Sequence, residues 1–99
     1  MPTIEISLYG IEFEWDSDKQ LLVLNEHNIS FAEACSVFTD DHEITFMDNR
    51  FDDGEQRYIT IGMSNQARLL TIGWTERDAK YRLITVIKAE KKHERLYNR

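Results

Sequence analysis

Three β-rich segments decide the fold: RYITIGM (57–63), ARLLTIGWT (67–75) and KYRLITVIK (80–88). Ile59 and Ile61 share one face of the first. Leu70, Ile72 and Trp74 share a face of the second, and Tyr81, Leu83, Thr85 and Ile87 a face of the third. Alternation with period two marks a half-buried strand. Ser64-Asn65-Gln66 and Glu76–Ala79 separate the segments and are short enough for antiparallel hairpins. From Ala89 the period becomes helical, with Ala89, His93, Leu96 and Tyr97 on one side and Lys91, Lys92 and Arg95 available to solvent.

Upstream, Thr3–Tyr9 and Ile11–Trp15 also alternate, with Gly10 between them. They read as one bent strand or a hairpin, residues 1–10 forming an added N-terminal strand. Ser17 and Gln20 stand at capping-box spacing before a helix over about 18–27, with Leu21, Leu22 and Leu24 as its buried stripe. Ser30 and Glu33 repeat that spacing, and Ile29 is placed to pack on Ala34. Phe31, Ala34, Cys35 and Phe38 then predict a short second helix ending near Phe38. Ile44–Met47 suits a short strand and Asp52-Asp53-Gly54 a turn. The order β–α–α–β–β–β–β–α predicts one α+β domain over residues 1–99, an antiparallel sheet with two N-terminal helices and a short C-terminal helix.

Ninety-nine residues with 41% apolar content suffice for one core without staples. Cys35 is the only cysteine, so the chain has no internal disulfide and no CxxC metal knuckle; within Ala32–Phe38 it reads as a small buried hydrophobe. No apolar run approaches eighteen residues, and no cationic N-terminus precedes a hydrophobic stretch. A soluble, cytoplasmic protein is expected. The charge is uneven. Residues 1–55 hold fourteen Asp/Glu against two Lys/Arg, whereas residues 56–99 hold ten Lys/Arg against four Asp/Glu. The basic half points to an anionic partner, with Arg57, Arg68, Arg77, Arg82 and Lys88 fixed on a sheet where a phosphate backbone is read.

Arg77 and Arg82 bracket a turn, so their guanidinium forks can meet on one phosphate. The competing reading is solvated edge-strand charge. His27, at the end of the first helix, is a proton-transfer candidate because its ordinary pKa lies near neutrality. His42 and His93 stand apart from it, with no HxH or HExxH spacing, so neither metal nor cofactor is expected. The pairs Asp40/Asp41 and Asp52/Asp53 project oppositely from extended chain and read as a solvated acidic loop.

Five segments together resemble the BrnT family of type II toxin–antitoxin toxins, small RelE-like ribonucleases. They are Phe13-Glu-Trp-Asp16 followed by Lys19; His27 with Ile29-Ser-Phe31 and Ala34; Val37-Phe38 ahead of an acidic pair; Glu55-Gln-Arg-Tyr-Ile-Thr-Ile-Gly62; and Thr75-Glu-Arg77 leading to Arg82-Leu-Ile84. The tail ending Glu94-Arg-Leu-Tyr97 is similar too, so the likeness runs from about residue 11 to the C-terminus. It implies a RelE-like fold that cleaves RNA without metal and is held inactive by a cognate antitoxin. That antitoxin, BrnA, carries a ribbon-helix-helix DNA-binding domain, and the complex represses its own operon.

Carried across by position, His27, Arg57, Arg77, Arg82 and Glu76 are the implied catalytic group. Lys19, Arg68, Lys80, Lys88 and Lys91 are candidate RNA contacts. The implied chemistry is in-line attack of a ribose 2′-OH on the adjacent phosphate, a base such as His27 or Glu76 taking the proton and arginines neutralising the developing charge. Three departures stand out. Family members commonly carry Lys-His-Gly where this chain has Glu26-His27-Asn28, and an arginine where it has Ile87. These substitutions motivate a second expectation: a catalytically weak or inactive BrnT-like protein acting as an antitoxin-binding module.

Overall fold

The computed structural model describes residues 2–51 and 53–99; Met1, in the expected N-terminal strand, and Asp52, in the expected acidic turn, lie outside the described residues. Elements run β1 (Thr3–Leu8), β2 (Ile11–Asp16), α1 (Ser17–His27), α2 (Phe31–Ser36), a 3-10 turn (Val37–Thr39), β3 (Ile44–Asp48), β4 (Arg57–Met63), β5 (Leu69–Arg77), β6 (Lys80–Lys88) and α3 (Lys91–Tyr97). The strands form one six-stranded sheet in the order β1-β2-β6-β5-β4-β3.

The expectation of an antiparallel sheet is corrected: the sheet is mixed. β2 lies parallel to β6, Phe13 opposite Tyr81 and Glu14 opposite Arg82, while the other neighbours are antiparallel. The reason is topological. The chain leaves β2 through two helices and three further strands, and such a long crossover can bring β6 back in the same direction. β1 and β2 form a hairpin whose turn residues, Tyr9 and Gly10, have φ 57° and 77°. That geometry suits the sheet twist and is costless only for glycine.

One sheet face is covered by α1 and α2 and holds the core: Phe13, Trp15, Phe31, Val37, Leu70, Ile72, Leu83 and Val86, with Cys35 fully buried among them. Burial pushes the Cys35 thiol up to about 12, so it packs as a hydrophobe. Tyr58, Trp74 and Tyr81 stack in sequence across β4, β5 and β6 at 4.8 and 4.3 Å between centroids, with Phe38 edge-on to Trp74.

Two helix details correct the sequence reading. α1 is capped by Asp16, whose carboxylate accepts from the Asp18 N–H, and not by Ser17 with Gln20. Gln20 is otherwise engaged, its Oε1 accepting from the Trp15 indole N–H. This bond turns the Lys19–Gln20–Val23 side of the helix inward. Leu21, Leu22 and Leu24 are therefore not a buried stripe; they stand 57%, 48% and 41% exposed, and Val23 alone is buried. In α2, the Ser30 hydroxyl accepts from the Glu33 N–H as expected, and Ile29 and Ala34 are both fully buried. The Glu33 carboxylate does not return to the cap; it reaches away from the helix, as described below.

Candidate functional site

The second sheet face carries the site. Register places Arg57 and Arg82 on either side of Thr75, and alternation along β5 puts Arg77 on the same side. Glu14 on β2 joins them, directly opposite Arg82. Arg57, Arg77 and Arg82, with Lys19 at the start of α1, Asp16 and Glu55, line an open pocket of about 280 Å³. Three arginines from three neighbouring strands thus converge at one end of the sheet. A fourth cation comes from the helix that the Trp15–Gln20 bond turns inward. α3 covers the other end of this face, where His93 Nδ1 lies 3.0 Å from Thr71 Oγ1 and the Tyr97 O–H donates to Asp40 at 2.6 Å.

Each arginine is already met by a carboxylate. Glu55 accepts from Arg77 Nε at 2.7 Å and from its Nη2 at 3.2 Å, Asp53 accepts from Arg57 at 2.7 Å, and Glu14 accepts from Arg82 at 2.8 Å. The Arg77 fork holds the Glu55 carboxyl below its ordinary range. Outside the pocket, Lys80 pairs with Glu5 and Arg68 with Glu33. The acidic first half therefore folds onto the basic second half. Much of the charge asymmetry is internal complementarity, and the acidic loop is not simply solvated. Asp40, too, accepts from the Met63 N–H, Tyr97 and His42; burial alone would raise its carboxyl, and these bonds bring it below the usual value.

The remaining candidates lie elsewhere. His27 is at the far end of α1, 3.9 Å from Glu26, next to Asn28, whose carbonyl accepts from Arg68. Eight residues of β5 separate Arg68 from Arg77, roughly 25–30 Å of strand. Glu76 projects to the opposite face from Arg77, across from Tyr81. Arg68 is held to the core: it donates to both carboxylate oxygens of Glu33, a residue only 7% exposed that also accepts from the Ser64 hydroxyl at 2.6 Å. Lys80 is at the arginine end, across from Arg77, whereas Lys88 and Lys91 follow the chain to the α3 end. Among the described residues, no group of three His, Cys, Asp or Glu side chains is arranged to hold a metal. No helix among them is long and apolar enough to cross a membrane.

Sequence reasoning passed over Glu55, Asp53 and Glu14 as site residues. Glu14 had a signal in the alternation of β2, which puts it on the face away from Phe13 and Trp15. Glu55 and Asp53 had none, because loop closure brings them in.

Residues 15–93 match the family model described as ribonuclease toxin, BrnT, of type II toxin-antitoxin system. The chain belongs to this BrnT family. The matched span includes all three pocket arginines, Lys19 and Glu55, and omits β1 and most of β2. No curated protein matches the chain. Membership brings with it a ribonuclease function and an antitoxin partner. One departure from the BrnT resemblance also gains a structural reason. Asn28, where relatives carry glycine, caps α1 at φ 56° with its N–H donating to the Leu24 carbonyl. Glycine and asparagine are the residues that best tolerate that left-handed position.

Proposed function

We propose that this protein is the toxin of a type II toxin–antitoxin pair and cleaves single-stranded RNA at the arginine pocket without a metal ion, on a RelE-like scaffold. The convergence of Arg57, Arg77 and Arg82 from three strands carries this reading. A phosphate entering the pocket exchanges with Glu55 on the Arg77 fork and with Glu14 on Arg82. Attack by the ribose 2′-O on phosphorus breaks the bond to the 5′-oxygen, which takes up a proton and leaves as a 5′-hydroxyl, and the other product is a 2′,3′-cyclic phosphate. The arginines take up the charge that builds on the phosphoryl oxygens. Glu55 and Asp16 are the carboxylates at hand to receive the 2′-OH proton; His27 and Glu76 lie outside the pocket. The partner is a BrnA-like antitoxin, DNA is reached only through that complex, and an RNA substrate places the action in the cytoplasm.

The test is direct. Purified protein with single-stranded RNA and a chelator is expected to yield cyclic-phosphate ends. The Arg77→Ala/Arg82→Ala double variant should lose roughly 10²–10³ in rate. A second reading, an antitoxin-binding module with little or no catalysis, draws on one observation: every pocket arginine is already neutralised by a carboxylate. RNA left intact beside tight antitoxin binding would establish it over the first.

A further inference from the structure

Next to the arginine pocket, sharing Arg57 and Ile84 with it, lies a smaller hollow of about 60 Å³. Its lining is mostly apolar. Gly73 forms part of it, opposite Thr85 and beside the bulge at Gly73/Trp74. A Cβ on Gly73 would stand 2.9 Å from the Thr85 methyl, so the hollow exists because β5 has no side chain there. Ile59 and Ile84 flank it. Phe51, 46% exposed, forms a wall, and the Arg57 guanidinium lies 4.0 Å from its ring centroid. Arg57 Nε is buried and has no hydrogen-bond partner among the described residues, with Glu55 Oε1 4.0 Å away. A donor shut away from water without a partner is costly, and a ligand acceptor would remove that cost.

An aromatic plate, an apolar floor and an orphaned donor beside an anion pocket ask for one kind of ligand. It is flat, carries acceptors on its edge and is joined to a phosphate. We infer that the hollow is a nucleobase subsite. The base attached to the phosphate held by Arg77 and Arg82 rests against the Phe51–Arg57 stack, its edge over Gly73, and accepts from Arg57 Nε. About 60 Å³ admits the edge of a ring and not a whole nucleotide. A peptide side chain such as phenylalanine would fill the floor but leave Nε unpaired. This inference rests on the RNA-cleaving reading above and adds to it the point where the substrate's base is felt.

The experiment separates the two. A fluorescent single-stranded hexanucleotide with 2′-O-methyl sugars, which block the attack, is titrated against the protein. A set of copies, each abasic at one position, is titrated in parallel. The wild type is expected to bind one abasic copy about tenfold more weakly than the intact strand. Phe51→Ala should bind the intact strand about as weakly and no longer distinguish the two. Gly73→Ala fills the floor but also crowds Thr85, so the exposed Phe51 is the decisive position. If no abasic position matters, or Phe51→Ala keeps the full penalty, while Arg77→Ala still weakens binding, the subsite is wrong and the RNA reading stands. If the wild type binds none of these strands at low salt, both fall.

Discussion

Arg68 and Arg77 bound the same strand, β5, and each meets a glutamate from the first half of the chain, yet the two pairs are physically different. Glu33 is buried on α2, gathers donors from Arg68 and Ser64, and belongs to the framework that ties α2 to the β4–β5 turn. Glu55 sits on the link between β3 and β4, and the Arg77 side chain it binds is half exposed. An ion pair of the first kind is held by what surrounds it, and breaking it strands a buried charge. One of the second kind is worth little in water and can be exchanged for another anion. An arginine's availability is set by the burial of its carboxylate and not by the charge of the segment it lies in.

That contrast can be broken at several points. The largest expected effect is the loss of roughly 10²–10³ in cleavage rate in Arg77→Ala, with the melting temperature nearly unchanged. Glu33→Ala should do the reverse. Its melting midpoint falls by roughly 10 °C, while cleavage measured well below that midpoint is retained. Equal effects of the two changes on melting would erase the distinction.

Acid should act on the framework pair as well. The Arg68 guanidinium holds the Glu33 carboxyl below its ordinary range, outweighing burial. Its stabilisation is therefore complete above about pH 4.3, the unfolded value, and is lost as pH falls through the lower folded value. Thermal melts of the wild type should weaken over that window. In Glu33→Gln the slope should be shallower, and an unchanged slope would remove Glu33 as its source.

The smallest effects concern the turns at the two ends of β5. Ala67 (φ 59°) and Ala79 (φ 64°) both sit in the left-handed region, where a side chain is strained. Ala67→Gly and Ala79→Gly should each raise stability by about 1 kcal/mol in denaturant titrations. Only Ala79→Gly, in the turn that joins Arg77 to Lys80, should also alter cleavage.

The strands were legible because alternation is a local property. The 57–88 meander and the Ser30 cap follow from side-chain period and turn chemistry. The period around Gly10 left a bent strand and a hairpin both open, and the bulge at Gly73/Trp74 breaks the alternation of β6, so that Val86, and not Thr85 and Ile87, joins Leu83 on the core face. The leucines of α1 misled for the same reason. A run of leucines looks buried, but which side of a short helix faces the sheet was settled by the bond between the Trp15 indole and Gln20. The candidate site divided along the same line. Arg57, Arg77 and Arg82 were readable from their places on adjacent strands, while His27 and Glu76 are separated from them by strand length and by sheet face.

By itself, the sequence determined the strand meander, the family and the placing of Arg57, Arg77 and Arg82 on neighbouring strands, because these depend on short-range pattern and residue type. Only the tertiary structure decided that β2 runs parallel to β6, that the acidic half neutralises the basic half, and that Arg68 is framework while Arg77 is exposed. Those outcomes depend on which distant segments come within a few ångströms of each other and on how much water remains between them, and neither quantity is written in any local stretch of chain.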